Sequence, residues 1–197
     1  MGGTMQVVLT NYNDLMRQFN SIRTGSEKAV RRTINDFKSR GPGWISQEIA
    51  AEYNIKKKDI NEAKKSVGKN GNSIKIAGTK VDDLAILYRG RLLTPTHFGM
   101  KPTTRPTDGA YVVSAQIKKA GGRKPLGNRV YLARAGGQGT TQIPFQRRGA
   151  ARTPTDVIKT LSVPQMITNK DVSDNIRDRI GKELGKRLQH HLEQCCK

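Results

Sequence analysis

The chain has 197 residues with 36 Lys and Arg against 16 Asp and Glu, a formal charge of +20, and 35% hydrophobic residues. Its longest apolar run, Leu84 to Tyr88, has five residues, whereas a helical bilayer span needs about 20; no membrane partner is expected, and no secretion signal is read at Met1 to Met5. The cysteines, Cys195 and Cys196, are adjacent at the C-terminus and make no disulfide framework, which fits a reducing compartment.

Met5 to Leu9 fit a short strand or an arm. Asn13 then caps a helix carrying Leu15, Met16, Phe19 and Ile22. A second amphipathic stretch starts at Ser26 and carries Ala29, Val30, Ile34 and Phe37. Gly41-Pro42-Gly43 should break or kink it, because proline lacks an N–H and glycine resists helix. A further helix carries Trp44, Ile45, Ile49 and Ala50, and a fourth segment carries Ile60, Ala63 and Val67. Near Gly68 the period changes to two. Ile74 and Ile76 alternate with polar residues, Ala85 to Arg89 reads as a strand, and Tyr111 to Ile117 alternate as a half-buried antiparallel strand. Short runs at Val130 to Ala133 and Ile143 to Phe145 follow, separated by the glycine-rich loops Ala120 to Asn128 and Gly136 to Gly139.

The last segment is a long helix, with Thr168 and Asp171 spaced as a capping box. Val172, Ile176, Ile180, Leu184, Leu188 and Leu192 recur every fourth residue. Each step advances about 40° beyond a full turn, so the ladder suits burial by different neighbours, within the subunit or between subunits. Gly181 and Gly185 would let another element approach closely. The expected architecture is α+β in one domain over 1–197: a helical region at 1–67, an antiparallel β meander with long basic loops at 68–164, and the C-terminal helix at 165–197.

Charge is concentrated in the meander. From Leu84 to Thr155 there are thirteen Lys or Arg and one acid, Asp108. Like charges on hairpin loops repel unless a partner neutralises them, which points to a polyanion or an acidic protein surface as well as to solvated loop tips. The candidate contact residues are Lys118, Lys119, Arg123 and Lys124 in one cluster, and Arg147, Arg148 and Arg152 in another.

Signals of catalysis are weak. There is no Gly-x-Ser-x-Gly elbow and no His-Glu-x-x-His or Cys-x-x-Cys pair, and the glycine-rich stretch at 136–141 lacks the lysine of a phosphate loop. His191 and Cys195 share a helix face, but no second ligand pair accompanies them, so a frayed tail accounts for them better than a metal. His97 in its loop reads as a surface or packing residue. No enzyme activity, metal or cofactor is expected. Ile45 to Ile60 has the cadence of a helix-turn-helix, with Asn54 able to take the left-handed conformation and Lys56 to Lys58 opening the second helix. A free DNA-binding protein using 44–67 is therefore the alternative reading.

Two stretches are more specific. Arg152-Thr-Pro-Thr-Asp-Val-Ile-Lys-Thr-Leu-Ser-Val-Pro164, and Gly181-Lys-Glu-Leu-Gly-Lys-Arg-Leu-Gln-His-His-Leu192, resemble the minor tail protein Z family of tailed bacteriophages. The likeness extends over most of the chain, including Asn54-Ile-Lys-Lys-Lys-Asp-Ile60. It implies a tail completion protein of long-tailed phage at the head–tail junction, made in the host cytoplasm and incorporated into the virion. It also implies a homo-oligomeric ring, hexameric by family resemblance, with the genome passing through its lumen. The implied neighbours are tail terminator, tail tube and head-completion proteins. The resemblance carries over no catalytic residues. On this reading the ladder from Val172 to Leu192 packs subunits, arms at 90–110 and 118–128 clasp neighbours, and the basic residues face DNA or an acidic ring partner.

Overall fold

The structure, a computed structural model, describes residues 4–8, 25–61, 73–80, 83–135 and 140–195. The helix read after Asn13, the continuation of the fourth helix through Ala63 and Val67, and the glycines at 136–139 lie outside these residues. The fold is α+β, with helices and antiparallel sheets and a long C-terminal helix.

Helix α1 (Ser26–Glu52) runs unbroken through Gly41-Pro42-Gly43, contrary to the break expected there. An interior proline costs about 3 kcal/mol. Against it stand Ile34, Phe37, Trp44, Ile45 and Ile49, all buried on the flanks of Pro42, each contributing about 1.5–3 kcal/mol. Burial wins, and Gly41 adds a reason of its own: it lies flush against Ile86 of the sheet.

After α1 the chain turns through Tyr53 to the short helix α2 (Lys57–Asn61). The first sheet has β3 (Ala85–Arg89) between β1 (Thr4–Val8) and β2 (Ser73–Ala77), all antiparallel. The central strand carries the most apolar stretch in the sequence, and Ile86 and Tyr88 are buried. Asp83 closes the β2–β3 connection by accepting hydrogen bonds from the Thr79 and Lys80 N–H groups at 2.8 and 2.7 Å. A single 3-10 turn (Pro95–Phe98) follows.

The expected strand over Tyr111 to Ile117 shrinks to β4 (Ser114–Ala115), paired with β5 (Lys124–Pro125). Its alternation is real in burial, since Val113 and Ala115 are buried and Val112 is exposed. Its backbone, however, bonds to several partners in place of one ladder: Ser114 to Lys101, Val113 to Leu126, Gln116 to Phe98 and Ile117 to Asn54. The third sheet is a meander of β6 (Val130–Arg134), β7 (Gln142–Arg147) and β8 (Thr155–Val157).

The C-terminal region holds two helices, α3 (Val163–Thr168) and α4 (Lys170–Cys195). The capping box belongs to α3: Ser162 Oγ accepts from the Gln165 N–H while the Gln165 side chain accepts from the Ser162 N–H. The box expected at Thr168 and Asp171 is absent, because Thr168 lies at the end of α3 and its hydroxyl donates back to Pro164 and Gln165 carbonyls. Helix α4 lies antiparallel on α1, as Arg179 reaches Glu48 and Gln47 while Arg187 and His191 reach Asp36.

The main core joins α1, α2, the first sheet, α3 and α4. A small second core of Met100, Val113 and Leu132, backed by Tyr111, Leu126 and Val130, seats the meander. Leu93 to Met100 are no free arm, because Leu93, Phe98 and Met100 are buried and Leu93 exchanges backbone bonds with Thr160 and Leu161.

Candidate nucleic-acid interface

Val172, Ile176, Ile180, Leu184 and Leu188 are each at most 2% exposed inside the chain, and Leu192 is half-buried. Five rungs of the ladder are thus core, which corrects their assignment to subunit packing. The drift of the stripe is absorbed by two neighbours, α3 and the sheet core near Val172 and α1 further along. No side chain closes on Gly185, where an added methyl would meet nothing within 4 Å. The helix runs to Cys195, and His191 Nε2 lies 3.1 Å from Asp36 Oδ2.

The first basic cluster divides between side chains that find a partner within the chain and side chains that do not. The segment after β4 is tied to the end of α1, with Lys118 paired to Tyr53 and the Lys119 N–H donating to the Glu52 carbonyl at 2.9 Å. This brings Lys118 Nζ within 2.9 Å of Glu52 Oε1 and over the Tyr53 ring. Its hydrogen bond to the Glu52 carboxylate raises the Lys118 pKa, and burial raises that of the Tyr53 hydroxyl. Arg123 donates to the Gly99 carbonyl. Lys119 and Lys124 are exposed and pair with no acid among the described residues.

The second cluster sits on the meander. Arg148 makes two charge-assisted bonds to Asp156, at 2.6 and 2.7 Å, and its guanidinium holds that carboxyl below the usual carboxylate pKa. Arg147, its neighbour on the strand, goes to the other face. There its guanidinium lies 5.5 Å from the centroid of the Tyr131 ring, and Tyr131 stacks on its cross-strand partner Phe145 at 5.9 Å and 23°. Arg152 is exposed in the β7–β8 connection. Of the seven basic candidates, Lys118, Arg123 and Arg148 are committed within the chain. Lys119, Lys124, Arg147 and Arg152 present charge that no acid of the described residues answers.

A residue outside that set joins them. Arg129, in the turn before β6, lines a cleft of about 370 Å3 with Val130, Tyr131, Arg147, Gly149 and Ala150. Arg129 immediately precedes β6, whose first residue Val130 pairs with Gln146, so Arg129 and Arg147 fall at the same end of the β6–β7 pair.

In the helix-turn-helix stretch, Lys56, Lys57 and Lys58 are exposed and Ile60 is buried. Asn54 does not take the left-handed conformation, since Arg129 alone has a positive φ among the described non-glycine residues. The chain instead turns with Tyr53 extended and Asn54 donating to the Ile117 carbonyl at 2.9 Å. His97 Nδ1 lies 3.2 Å from Asp59 Oδ2, which ties α2 to the 3-10 turn. Among the described residues no group of three or more His, Cys, Asp or Glu could hold a metal, and no helix is long and apolar enough to cross a membrane.

Comparison of the chain with protein-family models, curated proteins and solved structures returns no match.

Proposed function

We propose that the chain is a structural virion protein completing the head-proximal end of a long-tailed phage tail, as one subunit of a ring around the DNA passage. The observation carrying this reading is the resemblance of Arg152 to Pro164 and Gly181 to Leu192 to the minor tail protein Z family. The first stretch leads through β8 into α3, and the second is the C-terminal half of α4.

The charge distribution supports a partner that supplies negative charge. The acids nearest the two basic clusters, Glu52 and Asp156, each engage one cation, which leaves Lys119, Lys124, Arg147 and Arg152 for phosphate or an acidic neighbour. A ring subunit meets its neighbours through two different surfaces. With the apolar ladder of α4 buried, those surfaces are drawn from its polar outer face and from the exposed loops at 103–110 and 119–125.

Electron microscopy of purified particles carrying a specific label on this chain tests the proposal. A discrete label at the head–tail junction is the expected result. Particles without label, with the protein free and bound to DNA, would overturn it in favour of the DNA-binding reading.

A further inference from the structure

We infer that the cleft between the start of β6 and the β7–β8 connection is a phosphate-binding site for DNA, with Arg129 and Arg147 as its two anion ligands. The assignment deepens the DNA-facing part of the proposed function and rests on it.

Three observations converge on this cleft. Arg129 and Arg147 both line this cleft, at the end of the β6–β7 pair where Val130 meets Gln146; like charges brought into one cleft repel, and neither arginine pairs with an acid among the described residues. Arg129 also holds φ at 61°, the left-handed region. Side chains other than glycine seldom adopt that conformation, and it persists where surrounding structure imposes it, most often at functional sites. Finally, the Arg147 guanidinium is held over Tyr131, whose ring is itself stacked on Phe145. This face of the sheet therefore presents a positioned planar fork rather than a mobile charge. Repulsion, backbone strain and preorganisation in one place describe an anion site.

Guanidinium forks match phosphate oxygens in a bidentate manner. The cleft volume, about 370 Å3, lies within the range of small-ligand pockets. Gly149 and Ala150 form a wall of small residues, and an added methyl at Gly149 would meet nothing within 4 Å. A backbone can therefore pass through. Lys119, Lys124 and Arg152 also stand without acids, so the partner must deliver negative charge repeatedly. A phosphodiester chain does this at every residue, which favours DNA over an acidic protein surface.

The test is binding of the full chain to a fluorescent duplex oligonucleotide across a salt series. Arg129→Gln with Arg147→Gln is expected to weaken binding on the order of tenfold at 0.1 M salt and to reduce the slope of log K against log salt by about 1.8, two phosphate contacts' worth. Arg148→Gln, which removes a cation already paired to Asp156, is expected to change affinity less than twofold. Arg129→Gly relieves the left-handed backbone, so it should raise Tm while weakening DNA binding. That opposition is one a merely structural arginine would not give, and it decides the matter even if the double variant fails to fold.

Unchanged affinity and slope in Arg129→Gly, and in the double variant where it folds, would overturn the assignment. So would polyglutamate binding as tightly as DNA with the same dependence on both arginines. Cleft-dependent binding by a protein absent from particles would overturn the virion reading alone. A labelled head–tail junction with cleft-independent binding would overturn the cleft alone.

Discussion

Gly41 of α1 packs directly on Ile86 of the central strand: a methyl group on Gly41 would lie 2.8 Å from Ile86 Cδ1 and 3.5 Å from the Phe37 ring. Two residues along the same helix, a methyl on Gly43 would meet nothing within 4 Å. The two glycines flanking Pro42 therefore respond oppositely to substitution. Gly43→Ala should stabilise the protein by about 0.5–1 kcal/mol through helix propensity alone. Gly41→Val should destabilise it by about 1–3 kcal/mol, because both Ile86 and Phe37 are fully buried and have little room to yield. Urea denaturation midpoints check both.

Tyr88 carries a hydroxyl with no hydrogen-bond partner among the described residues, at a position 2% exposed. An unsatisfied buried polar group costs about 1–3 kcal/mol, so Tyr88→Phe should be neutral or stabilising by about 1 kcal/mol at pH 8. Burial also raises the pKa of this phenol above its ordinary value. A raised folded pKa means the group's contribution is complete below the unfolded pKa of about 10 and is lost as pH rises from there towards the folded value. The advantage of Tyr88→Phe over the parent should therefore widen between pH 9 and pH 11. Denaturation at several alkaline pH values checks this: an unchanging difference would mean that the phenol ionises as readily in the folded chain as in the unfolded one.

The same contrast between local and tertiary causes explains which features were legible in the sequence. Ala85 to Arg89 stands out because its own apolar run makes it the central strand. The fourfold ladder of α4 marks a buried stripe, yet nothing in that spacing says whether α1 or another subunit covers it. Gly41-Pro42-Gly43 reads as a breaker because propensity is local, while the burial that overrides it comes from a strand some 40 residues on. The basic clusters were visible as composition. Their sorting was not: Lys118 finds Glu52 in a helix from the N-terminal third, and Arg148 finds Asp156 only because β7 and β8 pair. Arg129 carries no signal of its own, because one arginine in a turn means little until the fold brings it to the same cleft as Arg147.

Ser162 and Thr168 offer a direct comparison of two hydroxyls, each placed three residues before a polar partner. Ser162 is 3% exposed and caps α3 through the reciprocal bonds with Gln165. Thr168 lies past the first turn and returns its hydroxyl to carbonyls already within the helix. Ser162→Ala should therefore cost about 1 kcal/mol, and Gln165→Ala should remove part of the same stabilisation rather than add a separate loss. Thr168→Ala should be close to neutral. Thermal denaturation of the three single variants and the Ser162/Gln165 double variant would resolve the coupling.

Ile180 stands at the middle of α4, 1% exposed, one residue after Arg179 reaches Glu48 and Gln47 on α1. A rung buried inside the chain stabilises the folded subunit, whereas a rung between subunits stabilises only the assembly. Ile180→Ala should therefore destabilise the subunit by about 2–5 kcal/mol, with a loss in Tm that does not depend on protein concentration. Were the ladder shared with a neighbour, the loss would shrink on dilution, because the parent would weaken as its ring dissociated. Exposed Lys182 and Lys186 provide the complementary case, since charge reversal on that face leaves the core untouched. A defect there in assembly without loss of Tm would locate the subunit contact on the polar face of α4, opposite the ladder.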